Sequence, residues 1–411
     1  MKAFVAHHLS LIHFTGLGVR FFFTLFLIKN NQIEALGFYG LMCAIETLMP
    51  YLLGLEIHTF STRRYVKNQT KTKFSTIVSL HWGFISITLP IAAIISPLVL
   101  YLLNATDNLM ILFLSSVICM AAMILQETIR ASVILKKPEA SVYLTFMRSS
   151  SWQPVAIFII FFTKSDALLT IMLFWALTTT AAMLWSLKIV GIEKIPRSRL
   201  RFKYILNAIN MSKDYYVVAV AGAVTQNIDR LLLQMTMGLQ AVGIYTLIQS
   251  LASSINGAVQ SSIINKKAMA ILEIVPKTAM LTRPIVVNTS LSSFKYSVIL
   301  SLFILMLLYP LALLTDKLYL LDYYTPLLLL LTAQTINMVG QPFHLALYAV
   351  HKDRELRNIM MFSLFVAPLF LFFGSNYFGV SGVAAGLMFL SILVTWLKIN
   401  QYRKLLSTSP Q

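Results

Sequence analysis

The residues of this chain that could do chemistry are a few charges stranded in apolar sequence: Arg20, Glu46, Arg148, Asp229 and Arg230. Guanidinium groups bind phosphate or pyrophosphate bidentately, and a carboxylate beside them can set the local charge or take up a proton or sodium ion. A charge near the centre of a bilayer costs about 2.5–3.5 kcal/mol or more, so each of these needs a partner, a water-filled cavity or a route to the interface. Counted at about 1.5 Å per residue from the outer ends of their apolar runs, Arg20 lies roughly 12 Å deep and Glu46 roughly 15 Å deep. The two are expected to pair across that hairpin. Asp229 and Arg230 are neighbours in Gln226-Asn227-Ile228-Asp229-Arg230, about 100° apart on a helix, so at least one is expected to face an interior cleft.

Arg148 stands with Ser149 to Ser151, Gln153 and Pro154 in a polar, proline-interrupted half of its run, the composition of half-helices that line cavities. It is a third arginine candidate for the cleft. Glu127 and Arg130, three apart near an inner end, read as an i,i+3 pair that snorkels, and Glu56 as interfacial. Of the 7 histidines, only His344, after Gln341 and Pro342, is placed to face an interior, and none has metal-ligand spacing. There is no Walker loop, no G-x-S-x-G and no carboxylate pair in an aqueous loop, which argues against ATP-driven transport and hydrolysis. Cys43 and Cys119 fall inside apolar runs and read as small core residues.

The elements that must position these groups follow from composition. With 58% hydrophobic and 12% charged residues and a mean hydropathy of +0.76, the chain has about half the charge a soluble surface needs. Its apolar residues form repeated runs near the ~20 residues that cross a bilayer as a helix. The predicted spans are 9–28, 36–57, 76–103, 109–135, 142–163, 166–188, 211–235, 240–264, 294–315, 324–350, 358–376 and 379–399. The first is long, contains Arg20 and lacks a small-residue cleavage site, so it reads as a membrane helix and not a cleavable signal.

The net charge of +18 belongs to topology. Lys29, Lys164 and Lys317 alone fall in one set of loops. Arg63, Arg64, Lys67, Lys71 and Lys73, and then Lys194, Arg197, Arg199, Arg201 and Lys203, crowd the opposite side. By the positive-inside rule that side and both termini are cytoplasmic. Nucleic acid is excluded as a partner, since the basic residues alternate with spans and line no single surface. The longest inner connections, 188–210 and 265–294, mix basic and apolar residues as helices lying on the membrane surface do.

An internal repeat divides the chain. Ala35-Leu36-Gly37-Phe38-Tyr39 and Ala241-Val242-Gly243-Ile244-Tyr245 stand at equivalent places, preceded by Arg20 and Arg230; Gln126, Ala131 and Lys137 match Gln341, Ala346 and Lys352. The expected organisation is an N-terminal lobe over 1–188, a cytoplasmic linker over 189–210 and a C-terminal lobe over 211–411, six spans in each lobe in the same orientation, with a cleft between them.

The stretch Asn227-Ile228-Asp229-Arg230-Leu231-Leu232-Leu233, with Gly238, the Ala241 to Tyr245 segment and Leu251-Ala252, resembles the seventh and eighth helices of O-antigen flippases, the Wzx-type polysaccharide transporters. The segment from Phe378-Gly379-Val380 to Gly386 resembles the start of their last helix. These belong to the multidrug/oligosaccharidyl-lipid/polysaccharide (MOP) exporter superfamily. The resemblance implies an all-α polytopic membrane protein of about twelve helices in two pseudo-symmetric six-helix lobes, V-shaped as in MATE transporters, around a cationic cavity. It implies flipping of undecaprenyl-pyrophosphate-linked oligosaccharide repeat units from the cytoplasmic to the periplasmic leaflet of a bacterial inner membrane by alternating access.

Arg230 and Asp229 match the family's seventh-helix pattern, whereas Arg20 rests on the internal repeat. The substrate-binding candidates are therefore Arg20, Arg230 and Arg148, and the ion-coupling or charge-setting candidates Glu46 and Asp229. No cofactor is expected beyond a coupling proton or sodium ion; the expected partners are the lipid-linked oligosaccharide, membrane lipids, and polysaccharide polymerase and chain-length machinery. The peptidoglycan-precursor branch usually has two further helices. Two other readings stay open: an ion-coupled multidrug/cation antiporter, favoured by a negatively charged cleft, and a membrane glycan polymerase or ligase, which needs a sizeable outer loop.

Overall fold

Away from water, a single segment satisfies its own backbone amides only as a helix, and the apolar runs fold accordingly. The computed structural model describes residues 2–56, 71–134, 138–190, 202–274 and 279–408. Its helices are α1 (Lys2–Lys29), α2 (Ile33–Gly54), α3 (Lys71–Leu102), α4 (Leu109–Ile134), α5 (Pro138–Ser149), α6 (Gln153–Thr163), α7 (Ala167–Val190), α8 (Phe202–Met237), α9 (Leu239–Val259), α10 (Asn265–Ile274), α11 (Ala279–Thr315), α12 (Tyr324–Ala349) and α13 (Asp353–Thr408). A π turn, Gln260–Ile264, continues α9, and a 3-10 turn, Leu318–Tyr323, precedes α12. No strand occurs among the described residues.

Each of the twelve predicted spans falls on helix. The fifth is two helices, α5 and α6, broken at residues 150–152, and the last two are the arms of α13, broken at Gly379. Among the described residues six helical stretches, in α2, α3, α4, α7, α11 and α13, are long and apolar enough to cross a membrane. The other spans are interrupted or carry polar residues. Most of the basic loops, including Arg63, Arg64, Lys67, Lys194, Arg197, Arg199 and Arg201, and Lys137 of the repeat, lie outside the described residues.

The chain forms two compact units, Met1–Ala223 and Val224–Gln411, with the division inside α8. Residues 191–201 of the expected linker lie outside the described residues. Each unit has the same internal plan. In the first, α4 is the hub, packing against α2, α3, α5 and α7; in the second, α12 packs against α9, α11 and α13. The windows of α3 and α11, third in each repeat, are both only 28% buried, whereas that of α2 is 72% buried. The repeat in the sequence therefore corresponds to a repeat in packing.

The connection expected to lie on the membrane surface over 265–294 resolves differently. α11 begins at Ala279 and runs unbroken to Thr315, so residues 279–293 are its first turns. α10 is separate, and its Ile271 is buried with Val286, Phe343, Ala346, Ala349 and Tyr402. Its apolar face packs against neighbouring helices of unit two.

α13 is a helical hairpin. Gly379 has φ 57°, a left-handed conformation that favours glycine, and the arms on either side fold together. A Cβ on Gly382 would stand 1.9 Å from the carbonyl oxygen of Gly374, and one on Gly386 3.1 Å from Leu371. Small residues let membrane helices approach to backbone contact, and Phe370 stacks on Phe389 at 4.6 Å beside the crossing.

Candidate functional site

The polar centre of the first unit is built at the C-terminal end of α5. Arg148 donates from Nε to Glu46 Oε1 of α2 at 2.6 Å and from Nη1 to Gln126 Oε1 of α4 at 2.8 Å. Three helices that bury apolar faces against one another thus share one guanidinium. Both charged side chains are nearly enclosed, with relative exposures of 13% for Arg148 and 9% for Glu46. Arg20 of α1 reaches the same end of α5, where its Nε donates to Ser150 Oγ at 3.1 Å. Ser150 in turn donates to the Gly16 carbonyl at 3.2 Å, where α1 crosses closely over Phe146 and Ser150.

This corrects the expected pairing of Arg20 with Glu46. Equal depth on adjacent helices does not fix the direction in which each side chain points, and α5 brings its own arginine to the carboxylate. The structure gathers Arg20, Glu46 and Arg148 around one helix end and adds Gln126 and Ser150. Gln126 was visible in the sequence only as a repeat match to Gln341; a polar residue at the middle of an apolar helix is the signal that could have found it.

The break at residues 150–152 is packed by aromatic rings. Trp152 stacks on Trp175 at 5.3 Å and meets Phe23 and Tyr39 edge-on at 5.1 and 5.8 Å. Fully buried Gln153 donates from Nε2 to the Tyr39 hydroxyl at 3.1 Å. The repeat tyrosine thus ties α2 to α6.

Toward the C-terminal ends of α2 and α4, Arg130 pairs with Glu127 and, at 3.2 Å, with Glu56, and lies 5.6 Å from the Tyr51 ring centre. α8 closes the same end of α2: Ser212 donates to the Leu55 carbonyl at 3.2 Å and Tyr216 to that of Leu52 at 3.0 Å. Two carboxylates on one arginine, next to satisfied helix-end carbonyls, form a structural clasp.

In the second unit Asp229 is fully buried and accepts from the Tyr245 hydroxyl at 2.5 Å. Tyr245 is the counterpart of Tyr39 in the repeat, so in both units this tyrosine joins its helix to a polar partner on a neighbour. Asp229 also accepts from the Arg230 backbone N–H at 2.8 Å, while the Arg230 side chain is half-buried.

The interior of this unit carries a polar seam along α12. Asn256 donates to Gln334 at 2.6 Å, Ser290 to the Val339 carbonyl at 3.0 Å and Thr395 to that of Ile336 at 3.2 Å. His344 turns its Nδ1 into the protein, as its place after Pro342 suggested. Lys398, near the end of the last predicted span, is only 5% exposed. Among the described residues no group of His, Cys, Asp and Glu could hold a metal ion.

No protein-family model and no curated protein matches this sequence. Solved structures do. An inward-facing multidrug resistance MATE family transporter of the MOP superfamily superposes with a TM-score of 0.76 at 12% identity, covering 96% of both chains. The lipid II flippase MurJ, in an inward closed conformation, gives 0.74 at 9% identity over 96% of this chain and 87% of that one. A Vibrio cholerae MATE transporter gives 0.57 at 14% identity over 99% and 98%. The chain is therefore an all-α, multi-pass membrane protein with the fold shared by the multidrug transporters and lipid flippase of the MOP superfamily.

Proposed function

We propose that this protein flips an undecaprenyl-pyrophosphate-linked oligosaccharide from the cytoplasmic to the periplasmic leaflet of a bacterial inner membrane, for O-antigen or a related surface polysaccharide. The observation that carries this reading is the charge of Arg20. It is a permanent cation on a membrane helix whose hydrogen bond goes to a neutral serine, and it makes no ion pair with a carboxylate among the described residues. Such a guanidinium attracts a pyrophosphate and repels a cationic drug.

Arg148 stands one helix end away with its charge offset by Glu46. In this reading it holds the site's shape and supplies a second donor when Glu46 takes up a coupling proton or sodium ion. Arg230 is the corresponding cation of the second unit, with Asp229 as its charge-setting neighbour. The prenyl tail stays in lipid while the head alone passes the polar residues, as alternating exposure to the two sides requires. Similarity to MurJ supports a lipid-linked cargo, and the basic loops support cytoplasmic termini.

The test is reconstitution of the full chain in vesicles with fluorescently labelled lipid-linked oligosaccharide, reading head-group exposure with an imposed proton or sodium gradient. Flipping by wild type and its loss in Arg20→Ala is the expected result. Gradient-driven efflux of a cationic dye, with no movement of the lipid-linked sugar, would replace this reading with multidrug antiport.

A further inference from the structure

α1 packs against both α5 and α6. At Gly16 the approach to α5 is tight. Near the end of α1 lies an open-sided groove of about 550 Å³, lined by Phe26, Lys29, Ile157, Phe158, Phe161 and Phe162. The eleven-residue α6 starts afresh after the break at 150–152 with Pro154 in its first turn, so it follows its own course along α1.

The chemistry of the groove changes along it. Phe158, Phe161 and Phe162 are exposed, with ring centres 4.5 Å and 5.2 Å apart, and inside a bilayer such a wall meets hydrocarbon chains. At the helix ends the Lys29 ammonium lines the groove, and exposed Lys164 directly follows α6. Neither lysine makes an ion pair among the described residues. They are also two of the only three basic residues that the predicted spans put on that side of the membrane. Lysine at a helix C-terminus is favoured by the helix dipole alone. That preference explains neither the groove nor the ring wall beneath the cation.

We propose that this groove binds one anionic phospholipid of the leaflet on that side, with an acyl chain against the phenylalanines and its phosphate at Lys29 and Lys164. The positive-inside orientation makes that leaflet the outer one. The inference does not depend on what the protein transports.

Full-length wild-type, Lys29→Gln, Ile157→Trp and Lys317→Gln proteins are titrated with phosphatidylglycerol, phosphatidylcholine and undecaprenyl phosphate, and bound lipid is counted by native mass spectrometry. Wild type should retain one phosphatidylglycerol in preference to phosphatidylcholine. A surface cation contributes about a fivefold preference for anionic lipid, so Lys29→Gln should lower the preference about fivefold while Lys317→Gln keeps it. Ile157→Trp, which fills the groove without changing charge, should weaken both phospholipids alike. Equal retention of the two phospholipids by wild type, an unchanged preference in Lys29→Gln, or preference for undecaprenyl phosphate over phosphatidylglycerol would each overturn the proposal.

Discussion

Arg148 Nε and Glu46 Oε1 stand 2.6 Å apart, and this contact between α5 and α2 takes the carboxylate that depth alone would have given to Arg20. One arginine is left compensated and its neighbour uncompensated. The two arginines should therefore answer differently to substitution.

Glu46→Gln leaves the Arg148 charge nearly enclosed without its counter-ion. Breaking a buried pair from one side costs about 3–5 kcal/mol, so thermal unfolding of the purified protein should drop markedly. The double variant Glu46→Gln, Arg148→Gln should recover much of the loss. Additive losses in that cycle would show that the pair does not couple.

Arg20→Ala should behave in the opposite way. Its hydrogen bond to Ser150 is worth about 0.5–1.5 kcal/mol, or somewhat more for a charged donor, so stability should fall little. Transport should be lost at normal expression, and Arg20→Lys should restore part of it, since an ammonium keeps the charge but not the bidentate fork. Surface glycan display at wild-type level in Arg20→Ala would remove this residue from the mechanism.

Tyr245→Phe removes the hydroxyl that donates to buried Asp229. A buried acceptor left unsatisfied costs about 1–3 kcal/mol, more when charged, and unfolding of the solubilised protein should show it. Asp229→Asn still offers the hydroxyl an acceptor and should cost less. A reversed order would mean that the contact is not what holds α9 to α8 there.

Gly382→Ala places a methyl 1.9 Å from the Gly374 carbonyl oxygen, a clash with backbone that no side-chain rotation relieves. The arms of α13 must separate, and yield of folded protein should fall severely. Gly18→Ala, with nothing within 4 Å of the new methyl, should be neutral or gain up to about 1 kcal/mol from helix propensity. Comparable yields for the two variants would contradict the hairpin crossing.

The apolar runs were enough to put helix at each predicted span, because hydrocarbon leaves a chain no other way to satisfy its backbone. The repeat was legible as well: the Ala35–Tyr39 and Ala241–Tyr245 segments led to two tyrosines with matching tasks. Side-chain direction was not legible. Arg20 and Glu46 have suitable depths, but the partner of Glu46 depends on how α5 rotates and stops at Ser149, which only packing among α1, α2 and α4 decides. The α5–α6 break was half visible through Pro154, whereas the tryptophan stack at that break gave no sign, since aromatic residues in an apolar run look alike whether they meet lipid or each other. The length of α11 escaped because Asn288 and Arg283 look like a loop to hydropathy, though a helix carries them unbroken.

The matching exposure of α3 and α11 has a consequence for how this protein can change over generations. With most of each helix left uncovered by its neighbours, almost any greasy residue serves at the uncovered positions, and a library randomised there among apolar residues should leave the protein working. The same library in α2 should fail, because its neighbours leave few alternative shapes. Divergence between descendants should therefore accumulate on those two outer staves first.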